Sequence, residues 1–262
     1  MPFIETRHGP HGETWTIARP ERGNGLGTTL AAELMSRLAA LESMKHEKLP
    51  ATLTITARPL VKGERRTWIA GGDLKELATL ATPTQGMTYA RSLSEFLARL
   101  DRLPLPVIIA VDGAAIGGGA ELALGGDLRI ATRGSHYEFR QLKIGLATGY
   151  GGARRLVELV GLSRAQGWLY GCATVSAEEA LAAGLVHRVV EDEVALATAV
   201  KETATELAAL PREAVAGQKR MLWHATHEHP GAAREAELLE FAGLWGREAH
   251  AEALKAFLGR RG

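Results

Sequence analysis

The chain has 262 residues, 46% of them hydrophobic and 23% charged, and its 31 basic and 30 acidic side chains leave a formal charge of +1. That length is enough for a substantial core, and the charge balance excludes the strong basic excess on which a dedicated nucleic-acid or acidic-membrane binder depends. A single cysteine, Cys172, excludes an intramolecular disulfide framework and any multi-cysteine metal site, and suits a reducing compartment.

The N-terminal MPFIETRHGPHGE lacks the basic-then-apolar layout of a secretory signal, and no apolar run approaches the ~20 residues of a membrane span. These features predict a soluble, unprocessed, cytoplasmic protein with neither a membrane nor a nucleic-acid partner. ETWTIARP reads as a strand ended by Pro20. TTLAAELMSRLAALESMKHEK reads as an amphipathic helix with Leu30, Leu34, Leu38 and Leu41 on one stripe, capped by Thr28 or Thr29. ATLTIT predicts a second strand, and ARPLVKGERRTW an exposed, mobile connection. A helix over 87–103 carries Leu93, Phe96, Leu97 and Leu100 on one face and stops at the prolines of LPLPV.

PVIIAVDG is a buried strand that runs straight into glycines. Beyond them come a helix, the strand DLRIAT, the Gly-rich GLATGYGGARRL leading into another helix, a capped short helix in SAEEALAAG and a strand in LVHRVV. From Val194 onward the pattern is helical, broken at Pro211 and near HPGAA. Its final stretch gathers Leu238, Leu239, Phe241, Leu244, Trp245, Leu254, Phe257 and Leu258. That is more apolar surface than one exposed helix carries, so the face packs on its own core or on a neighbouring subunit.

The segment AAIGGGAELALGGD, residues 114–127, poses the chemical question. A Walker phosphate loop needs a lysine and a Ser/Thr just after its last glycine, where Ala120 and Glu121 stand. A dinucleotide fingerprint needs spaced glycines, but Gly117, Gly118 and Gly119 run together and position 122 is Leu. What remains is a strand, a glycine turn and a helix start, where free N–H groups and the helix dipole favour negative charge. On this segment alone, glycines that merely permit close packing are an equal account. A second glycine element, AGGDLKEL, also delivers N–H groups at a helix start with Asp73 placed to cap it. Two such donors grip one oxygen.

At this point the sequence resembles the crotonase superfamily, the enoyl-CoA hydratase/isomerase family, over nearly the whole chain. The segments that carry the resemblance are RPERGNGL, AGGDLKEL, PVIIAVDGAAIGGGAELALGGDLRIAT, GYGGARRL and VSAEEALAAGLVHRVV, in the family's order. The resemblance implies an α/β fold: a spiral of repeated strand–strand–helix units over 1–193, and a helical C-terminal region over 194–262 that mediates homotrimers or hexamers. It implies an acyl-CoA thioester as substrate, with coenzyme A as part of that substrate and no separate cofactor. It places the thioester oxygen between the N–H groups of Gly72 and Gly118 and makes Glu121 the acid/base. By the same resemblance the loops holding Asn24, Gly25 and Leu26, and Ala70, Gly71, Asp73 and Lys75, meet coenzyme A, with Gly117 in the glycine turn. Lys75 matches a lysine near the coenzyme's phosphates, and an exposed, solvated lysine is the alternative. Tyr150 closes the acyl pocket or acts as a donor.

One position departs from the pattern. Hydratases of the family pair the Glu121 carboxylate with a second glutamate, and that position is Gln141, preceded by Arg140 instead of proline. An amide holds water but exchanges no proton at neutral pH, so a two-carboxylate scheme lacks one member. Glu138 or Tyr150 could replace the missing acid, though on an extended segment Glu138 faces the opposite side. One carboxylate suffices for double-bond isomerisation or for enolate chemistry such as decarboxylation. A non-catalytic acyl-CoA-binding homologue is the alternative outside enzymes. RNA binding through ELMSRLAALESMKHEK, which mixes acids and bases, ranks last. The histidines, HATHEH included, show no metal-ligand pattern, and Arg154 and Arg155 read as structural ion-pairing residues.

Overall fold

Alternation of short apolar strands with amphipathic helices builds two sheets that the chain visits in turn. The computed structural model describes residues 2–245 and 247–259, and the side chains of Phe257 and Leu258 lie outside the described residues. Strands β1 (Ile4–Gly9) and β2 (Gly12–Ile17) form a hairpin, followed by helix α1 (Thr28–Glu42), β3 (Leu53–Ala57), β4 (Leu60–Lys62) and β5 (Arg65–Ile69). Helices α2 (Leu74–Leu77) and α3 (Pro83–Leu100) lead to β6 (Val107–Val111), β7 (Ala114–Ile116), α4 (Gly118–Ala123), β8 (Leu128–Thr132) and β9 (His136–Glu138). Then come α5 (Gly152–Val160), α6 (Leu162–Tyr170), β10 (Thr174–Ser176), α7 (Ala177–Ala182) and β11 (Arg188–Val190). The C-terminal region is α8 (Glu193–Ala208), α9 (Arg212–His227), α10 (Pro230–Leu244) and α11 (Glu248–Gly259).

One sheet has the order β1-β2-β3-β6-β8-β11 and the other β10-β9-β7-β5-β4. The path β3 to β5, β6 to β7 and β8 to β9 steps from the first sheet to the second, and a helical segment returns it after β5 and after β7. This is the strand–strand–helix repeat. Strands β5, β7 and β9 lie side by side and parallel, so their C-terminal ends share one edge. The main core lies between the two sheets and the helices, where the stripe of Leu30, Leu34, Leu38 and Leu41 on α1 and that of Leu93, Phe96, Leu97 and Leu100 on α3 are buried. A smaller cluster joins Ile108, Ala110 and Ile130 of the first sheet to Leu196 and Ala199 of α8.

Several expectations are corrected. Neither Thr28 nor Thr29 caps α1: Gly27 holds that position without a side chain, and the Glu76 carboxylate accepts from the Thr28 N–H at 2.9 Å instead. The supposed mobile connection is the β4–β5 hairpin, because Thr67, Trp68 and Ile69 turn inward and fix the strand in the second sheet. Helix α3 begins earlier than residue 87, at a capping box between Thr82 and Gln85. Strand β1, largely exposed and polar, and the three-residue strands β7, β9 and β10 escaped the sequence reading. Among the described residues, no helix is long and apolar enough to cross a membrane.

The C-terminal face resolves in one direction. Leu238, Leu239, Phe241, Trp245 and Leu254 are exposed, between 48% and 65%, so they do not pack on the chain's own core.

Candidate active site

Helix α4 is short and buried at every position, since its glycines and alanines let it press against the second sheet: a methyl on Gly119 would lie 2.4 Å from the Ile69 carbonyl oxygen. Its first turn carries Glu121, only 2% exposed. A carboxylate so deep needs hydrogen-bond donors in place of water. Glu121 Oε1 accepts from Gln141 Nε2 at 2.9 Å and the Gly149 N–H at 3.2 Å. Oε2 accepts from the N–H groups of Tyr150 at 2.8 Å and Gly152 at 3.1 Å. Gly152 opens α5, so the carboxylate also meets the positive end of that helix. All four of its acceptor sites are filled.

Beside Glu121, two strand ends expose backbone donors. Gly117 takes a left-handed φ of 52°, and its N–H goes to the Glu138 carbonyl at 2.7 Å, which turns the chain from β7 into α4. As the first residue of α4, Gly118 has no intrahelical acceptor for its N–H. Gly71 (φ 99°) receives the Leu26 N–H on its carbonyl at 2.8 Å, and Gly72 bridges to Leu26. Among the described residues, no protein acceptor takes the N–H of Gly72 or of Gly118. The two loops touch: a methyl on Gly71 would stand 3.6 Å from the Gly118 nitrogen. Two loops with free donors, one after β5 and one after β7, thus lie against each other at the C-terminal edge of parallel strands, on the helix start that also carries the buried carboxylate.

The other expected site residues fall around this centre. Leu26 is buried against Gly72, and Gly25 lies so close to Asp73 that a methyl there would be 3.1 Å from its Cα. The Asn24 side chain is spent inside the protein. It accepts from the Arg19 N–H at 2.8 Å and donates to the carbonyls of Arg58 and Trp68 at 2.8 and 2.7 Å, leaving only the main chain of this loop for a ligand. Asp73 caps α2 through the Glu76 N–H and pairs with Arg22 at 2.8 Å. Burial alone would raise this carboxyl, but Arg22 and the cap hold it below its usual range. Ala70 and Lys75 are exposed at the rim.

Glu138 is buried, with its carboxylate paired to His136 at 3.0 Å and to Arg140. Arg155 is bound to Asp101 by two contacts of 2.7 Å, and Arg154 to Glu158 at 2.6 Å, the structural pairing expected of them. In HATHEH, His227 stacks on Trp223 with centroids 4.5 Å apart.

Tyr150 is 7% exposed, with its ring edge against Gly118. Its hydroxyl is hydrogen-bonded to that of Tyr89, whose own hydroxyl donates to the Leu26 carbonyl at 2.7 Å. Burial pushes Tyr89 up to about 12 and raises Tyr150 further, helped by Tyr89 and Glu121. Tyr89 was missed in the sequence, although it extends the Leu93–Leu100 stripe of α3 by one turn. Cavities of about 640 Å³ beneath α9 and about 900 Å³ between β2, β3 and α8 are lined by none of Gly72, Tyr89, Gly118, Glu121, Gln141 and Tyr150.

Residues 14–262 match the family model described as enoyl-CoA hydratase/isomerase. The chain is 35% identical over 173 residues to the ethylmalonyl-CoA decarboxylase of Xenopus tropicalis, an alignment covering 66% of this chain and 55% of that protein's length. It is 33% identical over 252 residues to the 1,2-epoxyphenylacetyl-CoA isomerase of Escherichia coli, covering 95% of this chain and 92% of that one. The crystal structure of an enoyl-CoA hydratase from Bacillus anthracis superposes with a TM-score of 0.90 at 27% identity, over 99% of this chain and 97% of that one. Three differently named activities surround one architecture, and the family match spans both sheets and the C-terminal helices. The chain belongs to the enoyl-CoA hydratase/isomerase family of the crotonase superfamily and is an enzyme of that family.

Proposed function

We propose that the enzyme binds an acyl-CoA thioester with its carbonyl oxygen between the N–H groups of Gly72 and Gly118, forms the enolate there, and uses Glu121 as its only acid/base carboxylate. The reaction is one that needs no second carboxylate, not hydration. The observation that carries this reading is the 2.9 Å hydrogen bond from Gln141 Nε2 to Glu121 Oε1, an amide where the family's hydratases bring a second carboxylate. Adding water requires one group to activate the water and another to protonate the α carbon, and an amide does neither. Glu138 is an unsuitable substitute, since its carboxylate is already paired with His136 and Arg140.

Among single-carboxylate reactions, loss of CO₂ from a 2-carboxyacyl-CoA asks least of Glu121. Cleaving the C–C bond generates the enolate without a base, and a proton then returns to the α carbon. All four acceptor positions of the carboxylate are already occupied by donors, so a reaction that takes no proton from the substrate leaves them undisturbed. Isomerisation is the second reading. It is favoured because one of those donors is the side chain of Gln141, whose displacement frees a lone pair for a substrate proton, while the other three are main-chain groups. Self-association, implied by the resemblance, is supported by the apolar side chains exposed on α10 and α11.

The test is incubation in D₂O with ethylmalonyl-CoA, a 3-enoyl-CoA and a 2-enoyl-CoA, followed by mass spectrometry, with Glu121→Gln as control. The expected outcome is loss of CO₂ with one deuterium gained, or migration of the 3-ene, and no water added to the 2-enoyl ester. Addition of water to that ester would overturn the reading, and tight binding without turnover would mark a non-catalytic acyl-CoA binder.

A further inference from the structure

We infer that the Tyr89–Tyr150 hydroxyl pair is a receptor for an anionic oxygen group on the α carbon of the acyl chain, with Tyr150 as the donor, which selects 2-carboxyacyl-CoA thioesters over plain hydrocarbon ones. This rests on the acyl-CoA reading of the Gly72 and Gly118 donors.

The position comes first. A methyl built on Gly118 would lie 3.1 Å from the Tyr150 hydroxyl oxygen, and one built on Gly72 would lie 3.2 Å from the Tyr89 hydroxyl oxygen. The two phenols therefore stand next to the two glycines whose N–H groups are free, within reach of whatever substituent the α carbon carries.

The order of protons follows from the acceptors. The Leu26 carbonyl only accepts, so the Tyr89 hydroxyl donates to it. Tyr89 has a single proton, and its oxygen must then accept from Tyr150. The Tyr150 proton is thus held by a neutral phenol oxygen, a weak acceptor. A carboxylate on the substrate is a stronger one, since hydrogen bonds to ionised acceptors are roughly twice as strong as neutral ones. A hydrocarbon substituent would bury the same phenols with nothing for the donor.

Two further features suit the role. Burial keeps both hydroxyls protonated throughout the physiological range, so neither opposes an anion. The Tyr150 N–H also binds Glu121 at 2.8 Å, which ties the position of the phenol to that of the carboxylate.

The experiment is calorimetric binding of two esters to the wild type, Tyr150→Phe and Tyr89→Phe. One is 2-sulfopropionyl-CoA, whose sulfonate stands where a carboxylate would and cannot leave as CO₂. The other is isobutyryl-CoA, with a methyl in its place. The wild type is expected to bind the sulfonate ester about tenfold tighter or better, the range of one hydrogen bond to a charged group. Tyr150→Phe keeps the ring and should lose that preference, the two esters then binding with similar affinity. Tyr89→Phe should retain it, because Tyr150 keeps its proton. No preference in the wild type, or a preference that survives Tyr150→Phe, overturns the inference. Loss of the preference in Tyr89→Phe alone overturns the choice of Tyr150 as donor. If neither ester binds the wild type, the acyl-CoA reading itself falls.

Discussion

Glu121 gives up nearly all its water, and four hydrogen-bond donors take that water's place. Three of these are main-chain N–H groups that a side-chain change leaves in place, so Gln141 is the one donor that a conservative substitution removes. Gln141→Glu would replace the donor with a second carboxyl about 3 Å from the first, and two carboxylates so close cannot both ionise. The expected result is a raised pKa for the pair and a gain of water addition to a 2-enoyl-CoA at acidic to neutral pH, read from the pH profile of hydration. No gain at any pH would show that more than this residue separates the site from a hydratase. The two glycine elements were legible in the sequence as helix starts with free N–H groups because each is a short local motif, whereas the roles of Gly72, Gly118 and Glu121 came from the resemblance. The Tyr89 hydroxyl was not legible, because its meaning comes from Tyr150, sixty-one positions away.

Helices α4 and α5 meet with a carboxylate on one and bare N–H groups at the start of the other, which makes Gly152 a packing requirement. An alanine methyl there would fall 2.6 Å from Glu121 Cγ and Oε2. Gly152→Ala should therefore cost about 1–3 kcal/mol of stability, the usual range for overpacking, and displace Glu121. Denaturant unfolding together with turnover would check this, and an unaffected kcat would contradict it. At the far edge of the first sheet, His187 Nδ1 accepts from the Arg129 N–H at 3.1 Å, just before β11 joins β8. Desolvation, then the Arg129 charge, lowers this imidazole to about 4. Between pH 6.5 and 4 the unfolded chain takes up a proton that the folded chain refuses, so stability should fall as pH drops through that window. His187→Gln should flatten this part of a thermal-unfolding profile; an unchanged slope would exclude His187 as its source. The long helices were readable from their stripes. Of the three-residue strands, β11 was read within LVHRVV, but β7, β9 and β10 were not, because period two needs more positions than they supply.

For the whole molecule, the exposed face of α10 and α11 is the feature a single chain leaves unexplained. Leu239 and Phe241 are 65% and 57% exposed on the same helix. If this face joins subunits, Leu239→Asp with Phe241→Asp should convert an oligomer to monomers in sedimentation, with the far-UV spectrum preserved. A wild-type monomer, or an unchanged oligomer in the variant, would refute it. The sequence had left own-core and subunit packing equally open, because periodicity marks a face as apolar without naming what covers it.

The two free N–H groups follow neighbouring parallel strands, β5 and β7. Neighbouring strands lie ~4.8 Å apart, and two N–H groups each about 2.9 Å from a shared oxygen, approaching from either side, need nearly that separation. On the proposed reading the sheet acts as a ruler: its own hydrogen bonds would set the gauge of the oxygen's seat. Loop residues such as Gln141 and Tyr150 can be exchanged without altering that gauge, which is how one inherited frame can carry several chemistries.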